Sequence, residues 1–355
     1  MIDVLVVEDS PVVREFLLYI LGSDPGIRVI GTAHDGEEAV DAMSRLKPDV
    51  ITMDIHMPRM NGLEATRRIM ETAPVPIVIV SGSNDPNEVV STFDAMEAGA
   101  VAMLKRPAGL GHPDHEATAR ELVRTVKAMA EVKVIRRWPK GRQGSAPRPA
   151  AAAGPAPEPA RPRVVAIGAS TGGPPVLQTI LAGLSGDFPL PIAIVQHMAA
   201  GFSGGFIEWL GQSSALPVHL GSHGENLQPG HAYLAPDGYH MTLTHGGRIA
   251  LNQGEPENGL RPAVSALFRS VAESYGSHAI AGLLTGMGRD GAEELRLLKE
   301  KGAITFAQDK ESSVVHGMPG EAIRLDAAML VLPADRMPAV LSSLAKNGLA
   351  PEESQ

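Results

Sequence analysis

The chain of 355 residues contains no cysteine, so disulfide frameworks, thiolate zinc sites and a cysteine nucleophile are excluded together. It also lacks any run of about 18 apolar residues, and "MIDVLVVEDS" carries neither a basic leader nor a long apolar core. Membrane insertion and secretion therefore have no support, and a cytoplasmic protein is expected. Positive charge is not in excess either. A net charge of −9 argues against a nucleic-acid partner, whose nonspecific affinity comes from clustered Lys and Arg. No repeat of fixed period is found.

What is present divides in two. Residues 138–163, "WPKGRQGSAPRPAAAAGPAPEPARPR", have no apolar periodicity and cannot bury enough surface to offset the entropy of ordering. They are the heart of a Pro/Ala-rich linker, 133–162, between units at 1–132 and 163–350. The first unit alternates β-branched strands at Val4–Glu8, Val29–Ala33, Val50–Asp54, Ile77–Ser81 and Val101–Lys105 with helical patterns. Strict βα alternation with continuous apolar strands predicts an α/β fold with a parallel sheet covered on both faces. The commonest strand order is 2-1-3-4-5, with the ligand crevice beyond strands 1 and 3. The second unit repeats the pattern in "RVVAIGAS", "LPIAIVQH" and "HAIAGLLTG", which predicts a doubly wound, mostly parallel sheet. Its middle, 216–250, reads as short strands and turns, an antiparallel excursion.

In the first unit Glu8 and Asp9 end strand 1 and Asp54 ends strand 3, so the expected order brings three carboxylates together. Mutual repulsion at that range calls for a hard divalent cation, and Mg²⁺ suits an all-oxygen site. A metal-bound carboxylate is in turn a nucleophile for a phosphoryl group. Ser81 adds a hydroxyl, and Lys105 and Arg106 add cations, at neighbouring strand ends. One acid in such a place is as often a solvated cap as a ligand, but the joint pattern is specific.

These residues, with "VLVVEDS", "DIHMPRMNGLEA", "IVIVSG" and "GAVAMLKRP", resemble the receiver domain of two-component signalling, a flavodoxin-like fold. The resemblance implies that Asp54 accepts phosphate from a histidine kinase. It also implies that Glu8, Asp9, Asp54 and the His56 carbonyl hold Mg²⁺, and that Ser81 senses the phosphoryl group. Receivers usually place Lys directly before Pro at the end of strand 5. Here Arg106 fills that slot before Pro107, and Met103 stands at the usual aromatic switch position. Arg is a wider, planar donor and is not equivalent to the ammonium of Lys.

In the second unit "GASTGG" fits two templates, a phosphate-binding turn and the nucleophile elbow Gly168-x-Ser170-x-Gly172. The dinucleotide fingerprint and the P-loop ending are both missing, so the elbow depends on partners. A lone His after a strand is more often structural, and an Asp opening a helix is more often an N-cap. Yet His197 and Asp290 both follow strands whose ends share the edge of Ser170, which together supply base, carboxylate and nucleophile. The chain is similar to the chemotaxis-type protein-glutamate methylesterases, the CheB family. The text that carries this is "AIGASTGG", "QHM", "LAPDGYHM", "RPAVSALFRSVA", "LLTGMGRDGA" and "ESSVVHGMPGEA". The resemblance implies a receiver-controlled esterase and glutamine deamidase acting on methyl-accepting chemoreceptors. Ser170, His197 and Asp290 would be its triad, no cofactor would serve the esterase, and the unphosphorylated receiver would block the site. Backbone N–H groups near Thr171 and Met287 are candidates for an oxyanion hole or substrate groove. His316 is placed in the groove rather than in the chemistry, and His112 and His115 are read as surface residues. The rival reading is a receiver-controlled binding module whose glycine-rich strand ends hold nucleotide or phosphate.

Overall fold

Alternate residues of a buried strand face opposite ways, and both faces of these strands are apolar. In the computed structural model, which describes residues 1–82, 86–132, 134 and 161–348, the first unit forms five strands. They are β1 (Ile2–Val7), β2 (Ile27–Ala33), β3 (Val50–Met53), β4 (Ile77–Ser81) and β5 (Ala102–Lys105). The sheet is parallel in the order β2-β1-β3-β4-β5, as the alternation predicts. Helices α1 (Pro11–Gly22), α2 (Gly36–Met43), α3 (Gly62–Thr72), α4 (Pro86–Ala98) and α5 (His115–Met129) cover it. Leu5, Val7, Ile51 and Met53 pack against α3 on one face, while Val4, Val6 and Val50 pack against α1 and α5 on the other. Asp35 and Asn61 accept the N–H of Glu38 and Glu64 and so start α2 and α3, a cap worth about 1 kcal/mol. Strands β1 and β3 end one residue earlier than the sequence suggests, which leaves Glu8 and Asp54 just past the sheet.

The second unit carries β6 (Val164–Ala169), α6 (Gly173–Gly183), β7 (Ile192–Gln196), α7 (Ser203–Ser213), β8 (Val218–Leu220) and β9 (Ala232–Leu234). It continues through β10 (His240–Leu243), β11 (Ile249–Asn252), α8 (Val264–Ser274), β12 (Ala279–Leu283) and α9 (Ala292–Glu300). It closes with β13 (Ile304–Gln308), α10 (Met318–Arg324), β14 (Leu330–Leu332) and α11 (Met337–Asn347). Its seven-stranded sheet, β14-β13-β12-β6-β7-β9-β8, is parallel throughout. Helices α6, α7 and α11 cover one face and α8, α9 and α10 the other. The middle region holds the expected antiparallel excursion in part. Among its strands, β10 and β11 pair antiparallel, with an antiparallel bridge from Asn226 to Arg248, while β8 and β9 extend the main sheet in parallel. Their crossover, 221–231, has no helix, so no helical periodicity marked it as a parallel connection.

The linker read at 133–162 falls largely on residues 133 and 135–160, which lie outside the described residues. By Arg161 the chain is already pinned to the second unit. His278 Nδ1 donates to the Arg161 carbonyl at 3.0 Å, and Arg163 N–H donates to the His278 carbonyl at 2.7 Å.

The two units meet along α4, β5 and α5. Phe93 of α4 is fully buried against Phe206 and Trp209 of α7, with ring centroids 4.9 and 5.5 Å away. Burying such a ring is worth roughly 1.5–3 kcal/mol. Trp209 Nε1 donates to Asp94 Oδ1 at 3.2 Å, which satisfies the indole inside this apolar seam. Met103 of β5 packs into the cores of both units.

Candidate functional site

β6 lies at the centre of the second sheet, with β7 and β12 on either side, so the strand order reverses there. A crevice opens beyond the carboxyl ends at such a point. Ser170 follows β6, His197 follows β7, and Asp290 lies in the turn after β12. All three line one cavity of about 590 Å³.

The turn at Ser170 is tight because its glycines allow it. Gly172 has φ of 77°, and a Cβ there would meet Val314 Cβ at 2.5 Å. Ser170 N–H donates to the Thr285 carbonyl at 3.0 Å, and its own carbonyl accepts from Gly173 N–H at 2.8 Å. Gln196, which the sequence reading passed over, braces the turn from β7. Its Nε2 donates to the carbonyls of Ser170 and His197 at 2.9 and 2.8 Å. The N-terminus of α6 opens directly behind Ser170. The N–H groups of Thr171 and Met287 have no acceptor among the described residues.

His197 Nε2 lies 2.9 Å from Asp290 Oδ2. The Nδ1 nitrogen is therefore the one left for Ser170, whose Oγ has no hydrogen-bond partner among the described residues in this state. Asp290 does not open its own helix α9 as a cap. Instead it takes the N-terminus of α8, accepting from Val264 N–H at 2.6 Å and Ser265 N–H at 3.2 Å. Ser265 Oγ donates at 2.5 Å and Asn258 Nδ2 at 3.4 Å. Burial pushes the Asp290 pKa up, but the bond and charge of His197, with Ser265 and Val264, outweigh it, and the net shift is downward. Asp290 is thus held as a carboxylate beside the ring. Ser265 and Asn258 were not picked out from the sequence. Their pattern is ordinary, and only the fold brings them to Asp290.

His316 lies apart from the triad. It does not line this cavity. It pairs with Gly286 behind the β12 turn, with Nδ1 3.4 Å from Ser313 Oγ, and burial lowers its pKa. His112 is exposed, as expected, while His115 is half-buried, with Nδ1 2.8 Å from the Ala108 carbonyl.

The far wall of the cavity belongs to the first unit. Met103, Leu104, Arg124 and Thr125 face the same space as Ser170 and His197. Met103 is therefore in the seam itself.

In the first unit the carboxylates of Glu8, Asp9 and Asp54 offer ligand atoms within 4.8 Å of one another. Glu8 is pushed up to about 7 by burial first and then by the charge of Asp54. Burial also raises Asp54. Ser81 is buried at the end of β4, and His56 sits in the loop after Asp54 with its side chain exposed. Arg106 occupies the slot read for it. Its guanidinium lies 3.2 Å from Glu8 and 3.8 Å from Asp54, whereas Lys105 is exposed one residue earlier. Gly82 makes room for the wider group, because a Cβ there would stand 2.8 Å from the guanidinium. An all-oxygen set of this density fits a hard divalent cation.

A phosphoacceptor-type sheet seated over an esterase-type crevice defines a response regulator with a hydrolase effector. Residues 165–341 match the CheB methylesterase family and residues 4–112 the response regulator receiver domain. A protein of Nitrosospira multiformis described as protein-glutamate methylesterase/protein-glutamine glutaminase is 64% identical over 345 residues, covering 97% of each chain. A Geobacter metallireducens protein with that description is 62% identical over 346 residues, covering 97% of this chain and 99% of its own. The solved catalytic domain of Thermotoga maritima CheB methylesterase is 40% identical. It matches with a TM-score of 0.50 over 52% of this chain and 98% of its own. The chain belongs to the CheB methylesterase family, and the reading of its glycine-rich strand ends as a nucleotide cradle is not favoured. No helix of the described residues is long and apolar enough to cross a membrane.

Proposed function

We propose that this chain hydrolyses γ-methyl esters of glutamate, and deamidates glutamine, on methyl-accepting chemoreceptors, in the cytoplasm and under control of a phosphorylated receiver. The observation that carries the reading is the buried Asp290–His197 pair at 2.9 Å, sharing one cavity with Ser170 at the switch point of the sheet. His197 Nδ1 takes the Ser170 proton as Oγ attacks the ester carbonyl. Asp290 holds the Nε2–H tautomer and stabilises the imidazolium. The negative oxygen forms within reach of the Thr171 and Met287 N–H groups, each such donor being worth about 2.7–4 kcal/mol. The imidazolium returns its proton to the departing methoxide, which leaves as methanol. Water, deprotonated by the same nitrogen, then frees the acid. With glutamine the leaving group is ammonia.

In the receiver, Asp54 accepts phosphate from a histidine kinase. Glu8, Asp9 and Asp54, with the His56 carbonyl, would hold Mg²⁺, which supplies the charge that draws the phosphoryl oxygens onto Asp54. Ser81 and Arg106 then face the transferred group. The seam of Met103, Leu104 and Arg124 over the cavity supports restraint of the esterase by the resting receiver.

The test is methanol release from methylated receptor membranes by the full chain, with and without acetyl phosphate. Release should depend on Ser170 and rise with the phosphodonor. Normal release by Ser170→Ala sinks the triad. Transfer of labelled phosphate to Asp54→Asn at the wild-type level would move the acceptor elsewhere.

A further inference from the structure

Among the histidines outside the candidate triad, His240 is the one most fully built into the structure. It opens β10, is 3% exposed, and spends both ring nitrogens on backbone groups of one loop. Nε2 lies 3.0 Å from the Glu255 carbonyl, which can only accept, so Nε2 carries the proton. Nδ1 accepts from Ala263 N–H at 3.3 Å. A single neutral imidazole therefore joins the two ends of the segment from Glu255 to Ala263.

That segment reaches the candidate active site. Asn258, held in the left-handed region at φ of 53°, donates to Asp290 Oδ1, and Arg261 lines the cavity. The residue His240 binds, Ala263, is the cap of α8, and the next two N–H groups are those that grip Asp290. Three residues before His240, Asp237 does a parallel job for the base. Its Oδ2 accepts from Gly201 N–H at 2.7 Å and Ser203 Oγ at 3.0 Å, which ties down the loop that follows His197.

We propose that His240 is a positioning residue for the esterase reaction: its ring clasps the Glu255–Ala263 loop and thereby sets the α8 N-terminus and Asp290 against His197. The inference rests on the triad reading. It adds a residue that touches neither substrate nor the reacting atoms, and it requires both ring nitrogens in fixed roles. Buried polar groups that lose a partner are costly, so the loop ends would part rather than stay unpaired.

Two substitutions in the full chain separate the hydrogen bonds from the volume of the ring. His240→Leu fills the space and makes neither bond, while the amide of His240→Gln keeps both a donor and an acceptor. Methanol release from methylated receptor membranes in the presence of acetyl phosphate should show kcat lowered about 10- to 100-fold in the Leu variant, the scale of a small misplacement of reacting groups. KM should change little, and the Gln variant should recover most of the loss. Amide exchange over residues 255–265 should quicken in the Leu variant and not in the Gln variant. Wild-type kcat in the Leu variant, equal loss in both variants, or unchanged exchange in the Leu variant overturns the clasp. Full activity of Ser170→Ala would instead remove the triad beneath it, a separate result.

Discussion

Two pockets of this chain bury a carboxylate at the carboxyl edge of a parallel sheet, and they treat it in opposite ways. Glu8 and Asp54 are 1% and 5% exposed, and Asp290 is 3% exposed. Burial alone would raise all three. It does raise Glu8 and Asp54, whereas Asp290 moves down. The difference lies in what surrounds each group. Asp290 receives an imidazole, two helix N–H groups, a serine hydroxyl and an asparagine amide. Glu8 receives one backbone N–H and the Arg106 guanidinium, both at 3.2 Å, and faces two other acids. One carboxylate is fully supported by protein donors; the others share a single guanidinium and crowd one another. Degree of burial therefore says little about the state of an acid until its donors are counted.

The comparison can be broken at several strengths. Ser170→Ala removes the nucleophile and should lower kcat by up to ~10⁶-fold, read as methanol release. Asp290→Asn keeps the shape but upsets the tautomer and the charge, so a loss near ~10⁴-fold is expected by the same assay. A loss below tenfold would show that Asp290 serves chiefly to cap α8 rather than to hold His197. Removal of residues 1–132 should raise the basal rate about 5- to 150-fold, the range of ordinary coupling energies. An unchanged rate refutes restraint by the seam. The smallest effect concerns acid stability. Since the Asp290 pKa is lowered on folding from 3.8, its contribution is complete above the unfolded value and fades as pH falls through the folded one. In acid titrations followed by near-ultraviolet circular dichroism, Asp290→Asn should show a shallower loss of stability below about pH 4 than the parent. Parallel curves would mean that Asp290 is not protonated on unfolding.

Much of this was legible in the residues. Strands apolar on both faces, alternating with helical patterns, announce a parallel sheet, and strand ends announce the edge that Ser170, His197 and Asp290 share. Arg106 was placeable in its slot because Gly99 and Pro107 frame it. Gln196, Ser265 and His240 were not legible as working parts. Each acts through hydrogen bonds to groups brought near only by the fold, and such bonds leave no periodicity. The facing of the His197 ring was hidden for the same reason, as was the parallel pairing of β8 and β9.

Trp209 gives the seam an optical readout. The chain has two tryptophans, and the other, Trp138, begins the Pro-rich stretch 138–163. The Trp209 indole is stacked on Phe93 and bonded to Asp94 across the boundary between the units. Parting the units would hydrate the indole and shift its emission to the red. With Trp138→Phe as the background, native fluorescence would follow receiver release in real time without any attached dye.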